Sequence, residues 1–245
     1  MNIKSQASLF ILIGIVVIIV IGIFLYQRGS QIKIQEPAKI EEVAAIQNFV
    51  QLCLENTAKD SIPYVLEEGG YYDDFSKSID EAPIRPMVAV YLRNQTKDMP
   101  NISTFENSLA RYVNENILSC TESFKKFEGV QVEESEPKTN VTISGKNAFF
   151  SLDYKIKITK QGQTAELRKF NSMQEAEISS LLKVAEAFVD VQKENQPYFQ
   201  ISTLVNLSSN NNLTFIWEHL QDGEKMTISK TNSTGLTFAV RYNES

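Results

Sequence analysis

The sequence predicts an α+β protein: one N-terminal transmembrane helix, then a helical pair and an antiparallel sheet with a further packed helix. Three observations carry that reading. An uncharged, Ile/Val-rich run opens the chain; apolar residues then recur at three and four positions as far as residue 128; and from residue 129 the period shortens to two. The stretch from Gly29 to Ser245 is long enough for one substantial domain with its own core.

Between Ser5 and Gln27 no residue is charged. At about 1.5 Å per residue such a helix reaches just beyond the thickness of a hydrocarbon core, so Leu9 to Tyr26 is expected to cross a membrane, with residues 1–28 forming a short cytoplasmic stub and the anchor. Lys4 stands on one side while Arg28 and Lys33 stand on the other, so flanking charge does not orient the helix. Asn-x-Ser/Thr sequons do. They occur at Asn94, Asn101, Asn140, Asn206, Asn212, Asn232 and Asn243, all after the anchor, against about 2.6 expected by chance from the Asn, Ser and Thr content. The enrichment favours a glycosylated C-terminal domain outside the cell.

Residues 29–37 read as a linker, polar at first and ending at Pro37, a residue suited to a first helical turn. From Ala38 to about Ser61 the apolar positions Ile40, Val43, Ile46, Phe49, Val50, Cys53, Leu54 and Ala58 predict an amphipathic helix, stopped by Pro63 and its restricted neighbour Ile62. Gly69-Gly70 turns the chain, and the stretch through Tyr71, Tyr72, Asp73 and Asp74 to Pro83 and Pro86 reads as a long loop. Ser103-Thr104-Phe105-Glu106 has the form of a capping box opening a second helix, whose stripe runs Phe105, Leu109, Tyr112, Val113, Ile117, Cys120 and Phe124 before Gly129.

In the second part, residues 129–245, Phe150, Leu152, Tyr154, Ile156 and Ile158 alternate with polar residues as a half-buried strand. Gln161-Gly162 turns it into Thr164 to Phe170, and Val130–Val132 with Val141–Ile143 supply neighbours. Ser172-Met173-Gln174-Glu175 is read as the cap of one further helix, with Ile178, Leu181, Leu182, Ala185, Phe188 and Val189 facing inward. Three strands around Phe215, Met226–Ile228 and Phe238, parted by Asp222-Gly223 and Ser233-Thr234-Gly235, close the chain as a meander.

Chemistry is sparse. The domain carries a net charge of −8 and no basic stripe with interleaved aromatics, which disfavours nucleic acid. His219 is the single histidine, and the cysteines have no metal-site spacing, so neither a metal nor a cofactor is expected. Beside Trp217 and Glu218, His219 reads as an edge residue. The adjacent acids Glu41-Glu42, Glu67-Glu68, Asp73-Asp74 and Glu133-Glu134 read as solvated surface charge. Cys53 and Cys120 lie on the apolar stripes of the two helices and either bridge them or are separately buried as small hydrophobes. Gly69, Gly70, Tyr71 and Tyr72 form the candidate contact loop, since tyrosine gives amphipathic contact area at low entropic cost. The alternative is that its tyrosines tuck the loop onto the helices.

The opening Lys4-Ser5-Gln6-Ala7-Ser8-Leu9-Phe10 resembles the type IV pilin-like signal segments of archaea, in which Gln and x-Ser precede the apolar helix. Ser5 stands where that family carries Gly and Phe10 where it carries an acid, so the helix reads as a retained anchor rather than a filament stalk. The order Cys53, Gly69-Gly70-Tyr71, Cys120 is similar to uncharacterised archaeal membrane-anchored surface proteins. That resemblance implies a location and an architecture. The expectation is a single-pass cell-surface protein, a non-enzymatic binding or envelope-organising module whose partners are membrane lipid and other envelope proteins or surface glycans. A pilin-like subunit and a membrane-tethered ectoenzyme are the alternatives.

Overall fold

A computed structural model describes residues 41–78, 87–196, 198–231 and 233–241. The expected anchor at Leu9–Tyr26, the linker 29–37, Pro83 to Pro86 and the sequon residues Asn232 and Asn243 lie outside the described residues. Among the described residues no helix is long and apolar enough to cross a membrane.

The first helix, α1, spans Glu41–Glu67 and buries Ile46, Val50, Cys53, Leu54 and Ala58 along one stripe. It does not stop before Pro63 but passes through it. An internal proline costs about 3 kcal/mol by forfeiting one hydrogen bond and crowding the preceding turn. Burying Ile62, Val65 and Leu66 in the continued helix outweighs that, at about 1.5–3 kcal/mol for each large aliphatic side chain. The helix ends instead at Gly69, where Gly70 N donates to Val65 O at 2.7 Å and Gly69 N to Leu66 O at 3.1 Å, a Schellman closure with Gly69 at φ +69°.

After a short 3-10 turn at Phe75–Lys77 come two strands that the periodicity did not reveal, β1 (Val90–Arg93) and β2 (Thr96–Lys97). Helix α2 (Ile102–Thr121) follows, and its cap is Asn101 rather than Ser103: Asn101 Oδ1 accepts from Thr104 N at 2.9 Å, and Asn101 N donates to Thr104 Oγ1. Glu106 is thereby released from the expected capping role. It accepts instead from the backbone of Ile143 at 2.8 Å, while Asn114 Oδ1 accepts from Thr139 N at 2.8 Å.

Those two bonds seal a sheet edge. Strands β3 (Gln131–Glu134) and β4 (Lys138–Ser144) pair antiparallel with successive halves of β5 (Asn147–Lys160), and β6 (Gln163–Glu175) pairs antiparallel with β5 along its length. The arrangement is a single sheet three strands wide in which β3 and β4 share one edge of β5, interrupted at residues 135–137, and β6 takes the other. Eight residues of α2 rise about 12 Å and four residues of β4 about 13 Å, so Glu106 and Asn114 match the spacing of Ile143 and Thr139. The β4 amides of Thr139 and Ile143 are thus occupied, which hinders pairing of this edge with other chains.

Ser172 to Glu175, expected to cap a helix, are the last residues of β6, paired with Phe150, Phe149, Ala148 and Asn147. Ladder bonds to β5 take the backbone groups that a capping box would have used. Helix α3 (Ile178–Glu194) begins two residues later and buries Ile178, Leu181, Val184, Ala185, Phe188 and Val189. This half holds a second helix, α4 (Ile201–Asn210), whereas the sequence predicts only one here. Strands β7 (Thr214–Leu220), β8 (Gly223–Ser229) and β9 (Leu236–Arg241) form the expected antiparallel meander. They join the first half of the chain, because β1 pairs parallel with β9, giving the sheet order β2-β1-β9-β8-β7. Tyr91 and Phe238 stack at 4.6 Å in the middle of this sheet, and Phe188 of α3 closes over them.

Candidate functional site

The cysteines are bonded. Cys53 of α1 and Cys120 of α2 form a disulfide with a Cα–Cα distance of 5.8 Å, closing a loop of 67 residues. Beside it Phe49, Phe124 and Phe127 pack with centroids 5.7 to 6.5 Å apart, and Lys126 lies 3.7 Å over the Phe49 ring.

At the other end of α1, Gly69, Gly70 and Tyr71 are buried and Tyr72 is half-buried. Tyr91 Oη donates to Gly69 O at 2.9 Å and Ser108 Oγ to Gly70 O at 3.0 Å, so both glycine carbonyls are tied down. Tyr72 packs with Tyr64 and Tyr112 at 5.5 and 5.4 Å, donates to Glu115 at 2.9 Å and lies under Arg111. Burial pushes the phenols of Tyr71 and Tyr72 up to about 12, aided in Tyr72 by the hydrogen bond to Glu115. Burial likewise raises the Glu68 carboxyl, which is 1% exposed. This loop is built chiefly of internal contacts.

The acid pairs are dispersed. Glu42 pairs with Lys160, Glu133 with Lys157, Glu134 accepts from Tyr154, and Asp73 faces Arg111. Among the described residues no group of three or more His, Cys, Asp or Glu is placed to hold a metal ion. The described sequon residues Asn94, Asn101, Asn140, Asn206 and Asn212 are all exposed.

The surface that stands out was legible only in part from the sequence. Of the nine exposed large hydrophobic residues among those described, five come from one 20-residue stretch: Tyr198, Ile201, Val205, Ile216 and Trp217. Singly exposed apolar residues need no explanation, whereas a concentration does. Among the described residues β7 is the edge strand of its sheet, with a second strand on one side only, and α4 packs against it. Ile201 and Val205 lie one turn apart on the exposed side of α4, whose other side buries Leu204 and Ser208. The spacing of Ile201, Leu204, Val205 and Ser208 was the available signal for this helix.

Trp217 is held by two contacts. Its ring stacks on Phe199 at 5.7 Å, its Nε1 donates to Glu224 Oε2 at 2.7 Å, and it remains 45% exposed. Glu224 is 5% exposed and its other oxygen meets His219 Nδ1 at 2.9 Å. His219 is therefore an edge residue fixed by a buried carboxylate, with most of its ring in solvent. Gln192, fully buried on α3, donates to Tyr198 O and accepts from Gln200 N, fastening the segment that carries Phe199. A rigid aromatic presented beside an open strand edge is suited to contact with another protein.

A second exposed feature lies on the outer face of the β4–β5–β6 sheet, where Phe149 and Met173 are cross-strand partners exposed by 43% and 61%. Farther along that face, Arg168 grips Asp153 through two bonds at 2.8 and 3.0 Å, among Lys138 and Lys155. Comparison with known family models, curated proteins and solved structures finds no match for this chain.

Proposed function

We propose that this chain is a single-pass membrane-anchored cell-surface protein whose folded domain is a non-enzymatic binding and envelope-organising module, engaging another envelope protein through the β7–α4 surface. The observation that carries the reading is the concentration of exposed Trp217, Tyr198, Ile201 and Val205 beside an open sheet edge, with Ile216 exposed on the opposite face of the same strand. Aromatic residues that are both exposed and held in one rotamer contribute contact area without a large ordering cost on binding. The location is supported by the uncharged run from Ser5 to Gln27, by the resemblance of Lys4–Phe10 to archaeal pilin-like segments, and by the disulfide, which persists outside reducing compartments.

The test is site-specific photo-crosslinking of the full-length chain in intact cells of its source, with the reactive group at position 201, 205 or 217 and a control at Leu52, exposed on α1. The expected result is one discrete adduct from the β7–α4 positions that is absent from position 52 and is removed by protease added outside the cells. Diffuse or equal labelling from all positions would overturn the surface; an adduct resistant to external protease would overturn the location.

A further inference from the structure

Asn140 differs from the other exposed sequon residues in what surrounds it. It lies in the interior of β4 and points outward, since its neighbours Val141 and Ile143 are buried while Asn140 and Thr142 are exposed. Strand register then fixes the rest of that face. Asn140 stands opposite Ser151, which stands opposite Asn171; Thr142, the hydroxyl residue of the same sequon, stands opposite Phe149, which stands opposite Met173. Directly opposed side chains on one face are about 5 Å apart and diagonal ones about 7–8 Å, so Phe149 is within reach of a group attached to Asn140. These six residues line an open depression of about 310 Å³. Its chemistry is mixed in a particular way: an aromatic ring and a thioether form an apolar strip, and hydroxyl and amide groups border it. A pyranose has the same two characters, with a C–H face that lies on apolar and aromatic surface and hydroxyls that exchange hydrogen bonds at the rim. Among the described residues the Asn140 amide makes no hydrogen bond, whereas the Asn101 side chain is engaged in its helix cap.

Resting on the extracellular reading above, we infer that Asn140 carries an N-linked glycan whose first sugars lie across Phe149 and Met173, so that the glycan is the cover of this otherwise bare sheet face. In the modification the Asn140 Nδ2–C1 bond forms as the bond between the anomeric carbon and the phosphate oxygen of a lipid-phosphate-linked sugar donor breaks. The amide loses one proton and the lipid phosphate departs with the bonding electrons. No oxidation or reduction is involved. The remaining described sequons, at a tight turn (Asn94), a helix cap (Asn101) and the exposed side or end of α4 (Asn206, Asn212), are not on this face.

The experiment uses the full chain purified from its native membrane. Glycopeptide mass mapping reads occupancy at each sequon, and dilute hydrogen peroxide reads the cover, because methionine oxidation follows exposure. The expected result is an occupied Asn140 with Met173 protected. Protection of Met173 is lost in Thr142→Ala, which removes the sequon and leaves Asn140 in place, and also in wild-type chain stripped of glycan enzymatically, an arm that does not depend on the variant folding. Buried Met226 serves as the resistant reference throughout. Occupied glycans elsewhere with a bare Asn140 would overturn this inference alone. An occupied Asn140 with Met173 oxidised equally with and without the glycan would overturn the covering role. A chain bare at every sequon would overturn both this inference and the extracellular reading on which it rests.

Discussion

Gly70 lies against the face of Phe105 so closely that a Cβ added to it would sit 2.5 Å from the ring's Cζ. The ring is fully buried on α2, and Gly70 has φ +88°, so neither the neighbour nor the backbone has room to yield. Gly69 is equally confined, with a Cβ position 2.6 Å from Ala89 Cβ and 2.9 Å from Thr237 O. Gly70→Ala is therefore expected to lower stability by about 2–4 kcal/mol through left-handed strain and overpacking together, read as a reduced denaturant midpoint. A midpoint within error of wild type would show that the loop relaxes away from α2. The pair's place in the sequence suggested a recognition loop; its packing gives the glycines a structural duty.

The Cys53–Cys120 bond joins α1 to α2 across 67 residues, a span that includes the loop and the β1–β2 hairpin. In the chain-entropy account, closing a loop of that length contributes about 3–5 kcal/mol by restricting the unfolded chain. Replacing both cysteines by serine is expected to cost that order of stability and to abolish the two-dalton mass increase on reduction. Retention of the wild-type midpoint would mean that the α1–α2 stripe alone holds the helices together.

Much of the fold is written in local periodicity, and the parts that are not have identifiable physical causes. The alternation from Phe150 to Ile158 is readable because a half-buried strand needs every second residue apolar, and the turns at Gln161-Gly162 and Asp222-Gly223 are readable from their turn residues. β1 is not, since its strand character comes from pairing Val90 to Arg93 with Ala239 to Arg241, some 150 positions away in the chain, and β2, two residues long and paired only with β1, is too short to show a period. Both misread helix starts had the right residue types: Ser103 and Glu106 could cap, as could Ser172 and Glu175, but Asn101 offered a better cap and β5 a longer ladder. Pro63 reads as a stop in the sequence because its cost is local, while the burial that offsets it is tertiary. The β7–α4 surface was half visible in Trp217 and His219. Gln192 and Glu224, which fix it, were not, because nothing in their sequence neighbourhood marks a polar residue as buried.

Tyr71 and Tyr72 set an alkaline limit. Burial, with the Glu115 hydrogen bond in Tyr72, holds both phenols neutral up to about 12, above the ordinary value of about 10. A group whose folded value is raised contributes stability that is intact below its unfolded value and is lost as pH climbs through the folded one. The stability of the domain is therefore expected to fall between about pH 10 and about pH 12. Tyr72→Phe is expected to be less stable at neutral pH, having lost its bond to Glu115, yet to decline less steeply across that window. Equal slopes in thermal midpoint against pH for the two proteins would show that Tyr72 ionises without unfolding.

Edge protection by α2 also makes a local claim. With Asn114→Ala, the Thr139 amide loses its acceptor, and with Glu106→Ala the Ile143 amide loses its own. Each change is expected to cost about 1 kcal/mol and to accelerate hydrogen exchange at the one amide concerned far more than at Val141-facing residues of β5. Uniform acceleration along β4 would instead indicate that α2 as a whole had detached.

Trp217 is the only tryptophan in the chain, so its emission reports the β7 surface without interference. Glu224 offers one carboxylate oxygen to the indole and the other to His219, and it does so at 5% exposure. Glu224→Gln keeps the size of the side chain but replaces one acceptor by an NH₂ group, which faces either the indole N–H or the imidazole. Trp217 and His219 are both open to solvent and the neutral imidazole can accept from that NH₂ at Nδ1, so the substitution exchanges charge-assisted bonds for neutral ones and is expected to cost about 0.5–1.5 kcal/mol. Trp217 emission is expected to move to longer wavelength as the indole swings out from Phe199, with the α1–α2 disulfide intact. Unchanged emission and an unchanged midpoint would assign the indole's position to the Phe199 stack alone and leave Glu224 as a partner of His219 only.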